Sequence, residues 1–492
     1  MQLYDKDLLS VQEVRDLVEK AKAAQQELAQ KSQAEVDAIV ASIAKAGVRN
    51  AERLAQMANE DTGFGKVADK VIKNIFGSQM VYEHIKDMKT IGILDRDETN
   101  KTYTIAAPVG VIAGLIPSTN PTSTAFYKSE ISIKAGNAIV FSPHPSALRS
   151  ISEAIKVIRQ AIAEAGGNEN LVSCISLPTM QATDNLMKHP DVALILATGG
   201  SAMVRAAYSS GTPAIGVGPG NGPAYIEKTA DLPLAVKRIM DSKTFDYGTI
   251  CASEQSVVCD DDMAEAVQKE MEKQGAYFLS DEERLKLGKY ILRANGTMNP
   301  AIVGKSPQVI GELAGINVPA SAKVIVAKED GIGKGHPYSN EKLAPILAFY
   351  TAPDYKAIAK LCDEILRYEG AGHTFSMHTK DDRMVEYFAE RMPASRIIIN
   401  SPSALGGIGA STALMPALTL GCGAIGGSAT SENVGPMNLL NLKHVAYGLR
   451  EMEEIRGAAA KEQNCCGAEK KVSADKVDEI VAEIIARIQS AK

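Results

Sequence analysis

The sequence is poor in the residues that mark several classes of protein. Its 492 residues include no Trp, 5% aromatic residues and seven Cys. An odd, thinly spread set of cysteines does not make a disulfide framework, so we expect reduced thiols in a reducing compartment, with the cytoplasm as the default. Disorder is excluded, because 45% of the residues are hydrophobic and 23% are charged, enough to bury a large core.

Long apolar runs and an excess of one charge are also missing. The sequence has no stretch of ~20 apolar residues, and its start lacks the features of a signal peptide, so we expect no membrane span. The 53 basic and 59 acidic residues give a net charge of -6. This balance excludes bulk attraction to nucleic acid or anionic lipid, and the expected partner is a small molecule or another protein.

Short metal-binding and hydrolase motifs are absent as well. The sequence contains no CxxC pair, no HxxxH pair and no GxSxG motif, which disfavours a metal site and a serine hydrolase. The Gly-rich segment from Gly216 to Asn221 is a weak match to a dinucleotide-binding loop. A tight turn beside a strand explains this segment equally well.

Helical and strand patterns are present along most of the chain. Apolar spacing predicts a helix from Val11 to Gly47, with Gly47 as its C-cap, and a helical stretch from Ala51 to Met88. From about residue 106, strands and helices alternate, which indicates parallel βαβ units. A second α/β pattern begins near Asp231. We therefore predict two α/β lobes with a cleft between them.

Ligands of parallel α/β sheets bind beyond the carboxyl ends of the strands. In the first lobe, that edge would carry three polar loops, at residues 117–120, 142–145 and 198–201. We expect these loops to converge on one crevice.

Cys251 is the candidate nucleophile among the cysteines. It follows a Gly-containing loop and precedes a β-rich run at the edge of the second lobe, where a thiol can be partly exposed and stabilised as a thiolate. Periodicity alone favours the alternative, a small buried side chain, for any one cysteine. We expect structural roles for Cys174, Cys259, Cys362 and Cys422, and unassisted exposure for Cys465 and Cys466.

Six segments, in order, resemble the aldehyde dehydrogenase superfamily, and within it the CoA-acylating branch, over nearly all of residues 1–450. They are residues 120–124, 141–145, 197–200, 214–221, 245–255 and 418–423. The resemblance implies an α/β fold with a Rossmann-like NAD-binding lobe, an α/β catalytic lobe and a small β oligomerisation arm. The implied boundaries are 1–230 for the NAD-binding lobe, with 100–107 in the arm, 231–430 for the catalytic lobe, 431–455 for the return to the first lobe and arm, 456–471 for a linker and 472–492 for an amphipathic helix.

The resemblance also implies roles for individual residues. Cys251 matches the nucleophile that attacks the aldehyde carbonyl, and Asn120 matches the residue whose amide holds the oxyanion, with the backbone N–H of Cys251 as second donor. Glu341 matches the carboxylate that binds the nicotinamide ribose, although its sequence context alone favours a solvated helix start. The other residues matched to the cofactor site are Ser118, Thr119, Ser142, Pro143, Gly199, Gly200, Met203 and Gly218.

The sequence departs from the hydrolytic branch at three positions. Gly216 stands where hydrolytic members carry a Glu general base, so a thioester can persist until a thiol attacks it, and CoA is the implied acceptor. Ser142 replaces a Lys that contacts the adenosine ribose. Pro145 stands where a carboxylate often selects NAD over NADP. The resemblance implies NAD as the cofactor, and NADP stays an open alternative.

The predicted function is the reversible oxidation of a short, acetaldehyde-like aldehyde with NAD and CoA to acyl-CoA and NADH, in a homodimer or homotetramer. Three alternatives stay open: a charged aldehyde such as succinate semialdehyde or sulfoacetaldehyde, a hydrolytic enzyme with another base, and a catalytically silent scaffold. We expect no fused alcohol dehydrogenase half, for which the last ~40 residues are too short.

The end of the chain has a different character from the rest. Its apolar residues fall on one helical face: Val477, Ile480, Val481, Ile484, Ile485 and Ile488. Such a helix on a linker resembles the peptides with which aldehyde dehydrogenases of bacterial microcompartments dock on the shell or on other cargo. The alternative is a helix that packs on the enzyme's own body or on a sister subunit. The expected location is the cytoplasm or the inside of a microcompartment.

Overall fold

The computed structural model of the chain describes residues 5–293, 296–456 and 474–489. Contacts separate the chain into a larger unit, Met1–Leu94 with Ala106–Leu442, and a smaller unit, Asp95–Ile105 with Lys443–Lys492. Apart from Arg456, the predicted linker lies outside the described residues, and so do Cys465 and Cys466.

Helices make up most of the regular structure. They are α1 (Lys6–Leu28), α2 (Gln33–Arg49), α3 (Ala51–Thr62), α4 (Val67–Ile75), a π-helical segment (Phe76–Met80), α5 (Val81–Ile85), α6 (Pro121–Lys134), α7 (Leu148–Glu164), α8 (Met180–Met187), α9 (Ser201–Tyr208), α10 (Leu232–Thr244), α11 (Ala264–Lys273), α12 (Asp281–Ile291), α13 (Pro307–Ala314), α14 (Tyr355–Tyr368), α15 (Asp382–Ala389), α16 (Ser403–Gly407) and the C-terminal helix (Ala474–Gln489).

The prediction of a single helix from Val11 to Gly47 is wrong, because the helix ends at Leu28 and a second one begins at Gln33. Ser32 caps α2 by accepting a hydrogen bond from the N–H of Glu35, whose carboxylate accepts from the N–H of Ser32 in return. Gly47 lies inside α2 and not at its C-cap. A Cβ at this position would lie 2.5 Å from the Cβ of Ser78, so the glycine allows close packing.

In the part of the chain that the structure describes, the strands form three sheets. The strands are β1 (Gly92–Asp97), β2 (Thr102–Pro108), β3 (Val111–Ile116), β4 (Ala138–Pro143), β5 (Val172–Cys174), β6 (Val192–Thr198), β7 (Ala214–Val217), β8 (Pro223–Ile226), β9 (Ser256–Asp260), β10 (Ala276–Phe278), β11 (Val324–Lys328), β12 (Ile346–Ala352), β13 (Gly372–His378), β14 (Ala394–Ile399) and β15 (Leu440–Ala446).

Two of the sheets are parallel and belong to the larger unit. The first has five strands in the order β5-β4-β3-β6-β7, and the second has seven in the order β10-β11-β12-β9-β8-β13-β14. Every residue of β3 and β4 is buried, which explains their uninterrupted apolar runs. The predicted α/β fold with parallel sheets is confirmed.

The change from the first sheet to the second falls at residues 218–222. It precedes the boundary predicted at residue 230, because β8 already pairs with β9 and β13. Likewise, Ala404, Ile408 and Leu420 pack in the core of the first sheet, so the chain returns there before residue 431. Two four-residue strands separated by a short loop give no sequence signal that they lie in different sheets.

The third sheet has the order β1-β2-β15, so the run predicted for the arm at Thr102–Ile105 does form a strand. Within the smaller unit, the rings of Tyr103 and Tyr447 lie 6.5 Å apart. The apolar side chains of Val477, Ile480, Val481, Ile484 and Ile485 on the C-terminal helix are exposed. No helix among the described residues is long and apolar enough to cross a membrane.

Candidate active site

Cys251 lies at the end of a tightly bent loop between α10 and β9. Asp246 and Tyr247 in this loop have φ of +47° and +51°, which is a left-handed conformation that non-glycine residues seldom adopt. The Cys251 side chain is partly exposed, whereas the residues after it are buried. Burial raises the pKa of the thiol to about 12, and Arg396 opposes this effect. At neutral pH the thiol is therefore protonated and needs a base.

The loop between β7 and β8 packs directly on the backbone of Cys251. A Cβ at Gly220 would lie 1.9 Å from the carbonyl oxygen of Cys251, so only glycine fits there. The N–H of Gly220 donates to Oε1 of Glu341 at 2.9 Å. This loop thus connects the predicted nucleophile with Glu341.

Glu341 contacts the β7–β8 loop that packs on Cys251. Its backbone N–H donates to Oε2 of Glu369 at 2.7 Å. Burial and the charge of Glu369 raise the pKa of the Glu341 carboxyl to about 8, against the opposing hydrogen bond from Gly220. A carboxyl held by Gly220 in this way is near the reacting thiol, and its contact with a cofactor ribose stays a prediction.

Asn120 occupies the N-cap position of α6, at the carboxyl end of β3. Its Oδ1 accepts a hydrogen bond from Nζ of Lys73 at 2.6 Å, and its Nδ2 donates to Oγ1 of Thr119 at 3.2 Å. The side-chain amide is therefore held at its oxygen end. Its nitrogen end has one proton left for another acceptor.

Most of the residues predicted to bind a cofactor meet along one edge of the first sheet. Strands β4, β3, β6 and β7 are neighbours there, and their carboxyl ends carry the predicted residues: Pro143 closes β4, Ser118 and Thr119 follow β3, Gly199 and Gly200 follow β6 and Gly218 follows β7. Met203 lies in the first turn of α9, which begins right after Gly200. Ser142 bonds to Thr183, with 2.8 Å between their hydroxyl oxygens.

The geometry of this edge fits a dinucleotide. Helix α9 begins directly after Gly200, and the N-terminus of a helix favours a phosphate. A Cβ at Gly200 or Gly218 would meet no atom within 4 Å, so the space beside the backbone is open. Thr183 is a polar neighbour that the sequence reasoning missed, because its pairing with Ser142 joins residues 41 positions apart.

The space beside Gly216 is already filled. A Cβ at this buried position would lie 2.7 Å from Cγ1 of Val204 and 2.9 Å from Cε2 of Tyr208. The Tyr208 hydroxyl accepts from the N–H of Gly216 at 2.9 Å, and the Ser428 hydroxyl donates to its carbonyl at 2.8 Å. No carboxylate can stand here without displacing the tyrosine.

The sequence reasoning also missed His373, in β13. It is fully buried, and its Cε1 lies 3.3 Å from where a Cβ on Gly220 would be, so His373 and the Cys251 backbone contact the same glycine. Burial, and after it the charge of Arg396, lowers the pKa of His373 well below its usual value. Its Nε2 has no hydrogen-bond partner among the described residues. A neutral imidazole with an unpaired nitrogen can accept a proton.

Comparisons with known proteins agree on one family. The family model described as "Aldehyde dehydrogenase family" matches residues 3–330. The chain is 46% identical over 448 residues to the bifunctional aldehyde-alcohol dehydrogenase AdhE of Escherichia coli K12, with 90% of this chain and 50% of that protein covered. The chain thus spans about half the length of the first curated relatives it matches.

Solved structures match over almost the whole chain. A probable aldehyde dehydrogenase from Listeria monocytogenes EGD-e is 60% identical with a TM-score of 0.91, covering 92% of this chain and 100% of that one. An acetylating aldehyde dehydrogenase from Geobacillus thermoglucosidasius is 52% identical with a TM-score of 0.90, covering 92% and 99%.

Proposed function

The chain belongs to the aldehyde dehydrogenase family, and from this premise we propose that it is a CoA-acylating aldehyde dehydrogenase. It interconverts a short aldehyde, NAD and CoA with acyl-CoA and NADH. The observation that carries this proposal is the filled space at Gly216, where a carboxylate that activates water would have to stand.

In the proposed reaction, the sulfur of Cys251 bonds to the aldehyde carbon, and the carbonyl oxygen becomes an oxyanion. The oxyanion accepts hydrogen bonds from Nδ2 of Asn120 and from the backbone N–H of Cys251. A dinucleotide held at the edge of the first sheet would supply the hydride acceptor. Loss of the hydride from the same carbon restores the carbonyl and leaves a thioester on Cys251.

His373 is the proposed base for the thiols. The Cys251 thiol is protonated at neutral pH, and a thiolate is the form that attacks. The neutral imidazole beside Gly220 can take this proton as the sulfur bonds to the aldehyde carbon, and its low pKa makes it release the proton to solvent. It can then take the proton of the CoA thiol in the same way. The CoA thiolate then bonds to the thioester carbon, and Cys251 leaves as the thiolate.

The edge of the first sheet is the proposed NAD site. The N-terminus of α9 would hold the phosphates, and Ser142 with Thr183 would face the adenosine end. Neither side chain carries a charge that discriminates NAD from NADP. The affinities of the enzyme for the two cofactors, measured by titration, test whether it discriminates between them. The family resemblance implies an NAD-binding lobe before residue 231 and a catalytic lobe after it. We propose the same two lobes, with the boundary between them at residues 218–222.

One assay tests the reaction. NADH formation is followed with aldehyde and NAD, with and without CoA, in the wild type, in Cys251→Ala and in Cys174→Ala. Cys174, a thiol in β5 of the first sheet, is the matched control. We expect sustained formation of acyl-CoA and NADH only when CoA is present, and at most one NADH per active site without it. Cys251→Ala should show no turnover and Cys174→Ala normal turnover. Sustained NADH formation without CoA would contradict the acylating reaction, and activity in Cys251→Ala would contradict the nucleophile.

Assembly is a separate proposal. Apolar side chains of Tyr447, Leu449, Met452 and Ile455 are exposed in the smaller unit, which supports a homodimer or homotetramer. The apolar face of the C-terminal helix supports a contact with a microcompartment shell or other cargo, and so a place in the cytoplasm or inside that compartment. A reporter fused to residues 468–492 should co-purify with shell proteins; a reporter that ignores them would contradict the packaging role.

A further inference from the structure

Helix α4 carries two buried lysines that the proposed reaction does not use. Lys70 and Lys73 are 3% and 2% exposed. Both ammonium groups contact Oδ2 of Asp246, at 3.0 Å from Lys70 and 2.5 Å from Lys73. Burial opposes ionisation of Asp246, but Lys73 and Lys70 hold the pKa of its carboxyl below the usual value. The cluster is therefore a carboxylate between two cations.

Lys73 extends this cluster to the predicted oxyanion donor. Its Nζ lies 2.6 Å from Oδ1 of Asn120 and 3.0 Å from Oγ1 of Thr249. An ammonium group has three donors and no acceptor, so it can face only the oxygen end of an amide. Burial lowers the pKa of Lys73 to about 8, so the ammonium form dominates at neutral pH. Of the two amide orientations of Asn120, Lys73 permits the one in which Nδ2 points away from the lysine, with one proton on Thr119 and one available to another acceptor.

Asp246 connects the same lysine to the nucleophile loop. Besides the two lysines, its carboxylate accepts from the N–H of Lys66 at 2.8 Å and from Oγ1 of Thr249 at 2.7 Å. Asp246 and Tyr247 hold left-handed backbone conformations five and four residues before Cys251, and such strain persists only where surrounding contacts fix it. One carboxylate thus fixes the loop that carries the Cys251 N–H and the lysine that orients the Asn120 amide.

We propose that Lys73 is a positioning residue that holds the Asn120 amide with Nδ2 toward the oxyanion. Asp246 keeps Lys73 at a fixed position relative to the Cys251 loop. This inference rests on the proposed role of Asn120 as an oxyanion donor. It predicts that Lys73 acts through Asn120, so its removal matters only while the amide is present.

A double-mutant cycle on ester acylation tests the proposal. Cys251 attacks p-nitrophenyl acetate: the S–C bond forms, the carbonyl oxygen becomes an oxyanion, the C–O bond breaks, p-nitrophenolate leaves and the thiol proton goes to solvent. This step needs neither NAD nor CoA. We expect Lys73→Met to slow acylation about 100-fold in the wild-type background, as the loss of one oxyanion donor does, but less than about threefold in the Asn120→Ala background.

Lys128→Met is the matched control. Lys128 is also fully buried, and its Nζ donates to the carbonyls of Leu115 and Leu196 and not to Asn120. Its effect on acylation should be equal in the two Asn120 backgrounds. Asp246→Asn, which preserves size and weakens the hold on Lys73, provides a second cycle and should show the same coupling to Asn120 as Lys73→Met.

If Lys73→Met slows acylation equally in both backgrounds, the proposal is overturned, because a lysine with only a structural role would have the same effect whether or not the Asn120 amide is present. The result is independent of the acceptor. If the cycle shows coupling but the enzyme makes no acyl-CoA, the proposed function is wrong and the positioning role of Lys73 stands. If the cycle is additive but the enzyme makes acyl-CoA, only the positioning role is wrong.

Discussion

Substitution of Gly220 by alanine tests whether the β7–β8 loop holds Cys251 in its reactive position. The added Cβ would lie 1.9 Å from the carbonyl oxygen and 2.8 Å from the carbonyl carbon of Cys251, and real Cβ contacts essentially never fall under 3.0 Å. Both atoms belong to the backbone, so no side chain can rotate away. Either this loop or the Cys251 peptide has to move by about 1 Å, a displacement that can cost about 100-fold in rate.

The same clash has a cost in stability of about 1–3 kcal/mol, typical of overpacking. The larger effect should be on the reaction, because a shift of the Cys251 carbonyl also displaces the Cα that carries the thiol and the backbone N–H proposed to bind the oxyanion. We expect Gly220→Ala to fold with a moderately lowered melting temperature and to lose about 100-fold in kcat. The assays are CoA-dependent NADH formation, alkylation of Cys251 by iodoacetamide and thermal unfolding.

Gly218→Ala is the control within the same loop. A Cβ at Gly218 would meet no atom within 4 Å, and its φ is not in the left-handed region. We expect this variant to leave the alkylation rate of Cys251 unchanged. Wild-type kcat and wild-type alkylation in Gly220→Ala would refute the reasoning, since they would mean that the backbone of Cys251 is not held by this contact.

Three further predictions follow from the site. In Glu341→Gln, alkylation of Cys251 should match the wild type well below pH 8, where the Glu341 carboxyl is protonated. Above pH 8 the variant should react faster, because the wild type carries a negative charge beside the thiol. Equal alkylation rates at high pH would contradict this prediction. Gly216→Glu should lower the melting temperature and produce no free acid without CoA, because Val204 and Tyr208 fill the space; rapid hydrolysis would show that a base fits there. His373→Ala should slow CoA-dependent turnover by about 10²–10⁴-fold at neutral pH, and the loss should shrink as pH rises and the thiols ionise unaided; a pH-independent loss would argue against a base.

The fold was predictable from local patterns, with exceptions where a local signal competes with periodicity. The buried runs of β3 and β4 are read directly from their apolar residues, and the sequence also predicts the helix between them. The break before α2 was missed because the apolar period continues across it. The pair Ser32 and Glu35, a capping box, is the signal that could have located the break.

The site was predictable only in part, because its electrostatics depends on residues far apart in sequence. Cys251 and Asn120 could be identified through resemblance, but Lys73 follows Asp69 and Lys70 in a charged helix and reads as a solvated face. The carboxylate that makes its burial possible, Asp246, is 173 residues away.

Burial of two ammonium groups is unfavourable unless an opposite charge is buried with them. Lys70 and Lys73 surround the Asp246 carboxylate, and Lys66 pairs with Asp69 beside them. Three lysines therefore face two carboxylates, which leaves one positive charge in excess. That excess is directed at neutral oxygens, the Asn120 amide from Lys73 and the Thr119 carbonyl from Lys70, which lie at the end of β3 where the oxyanion is proposed to form. A site that must stabilise transient negative charge therefore benefits from a cluster with one cation more than its anions, whereas a balanced ion pair would fix the loop without supplying this field.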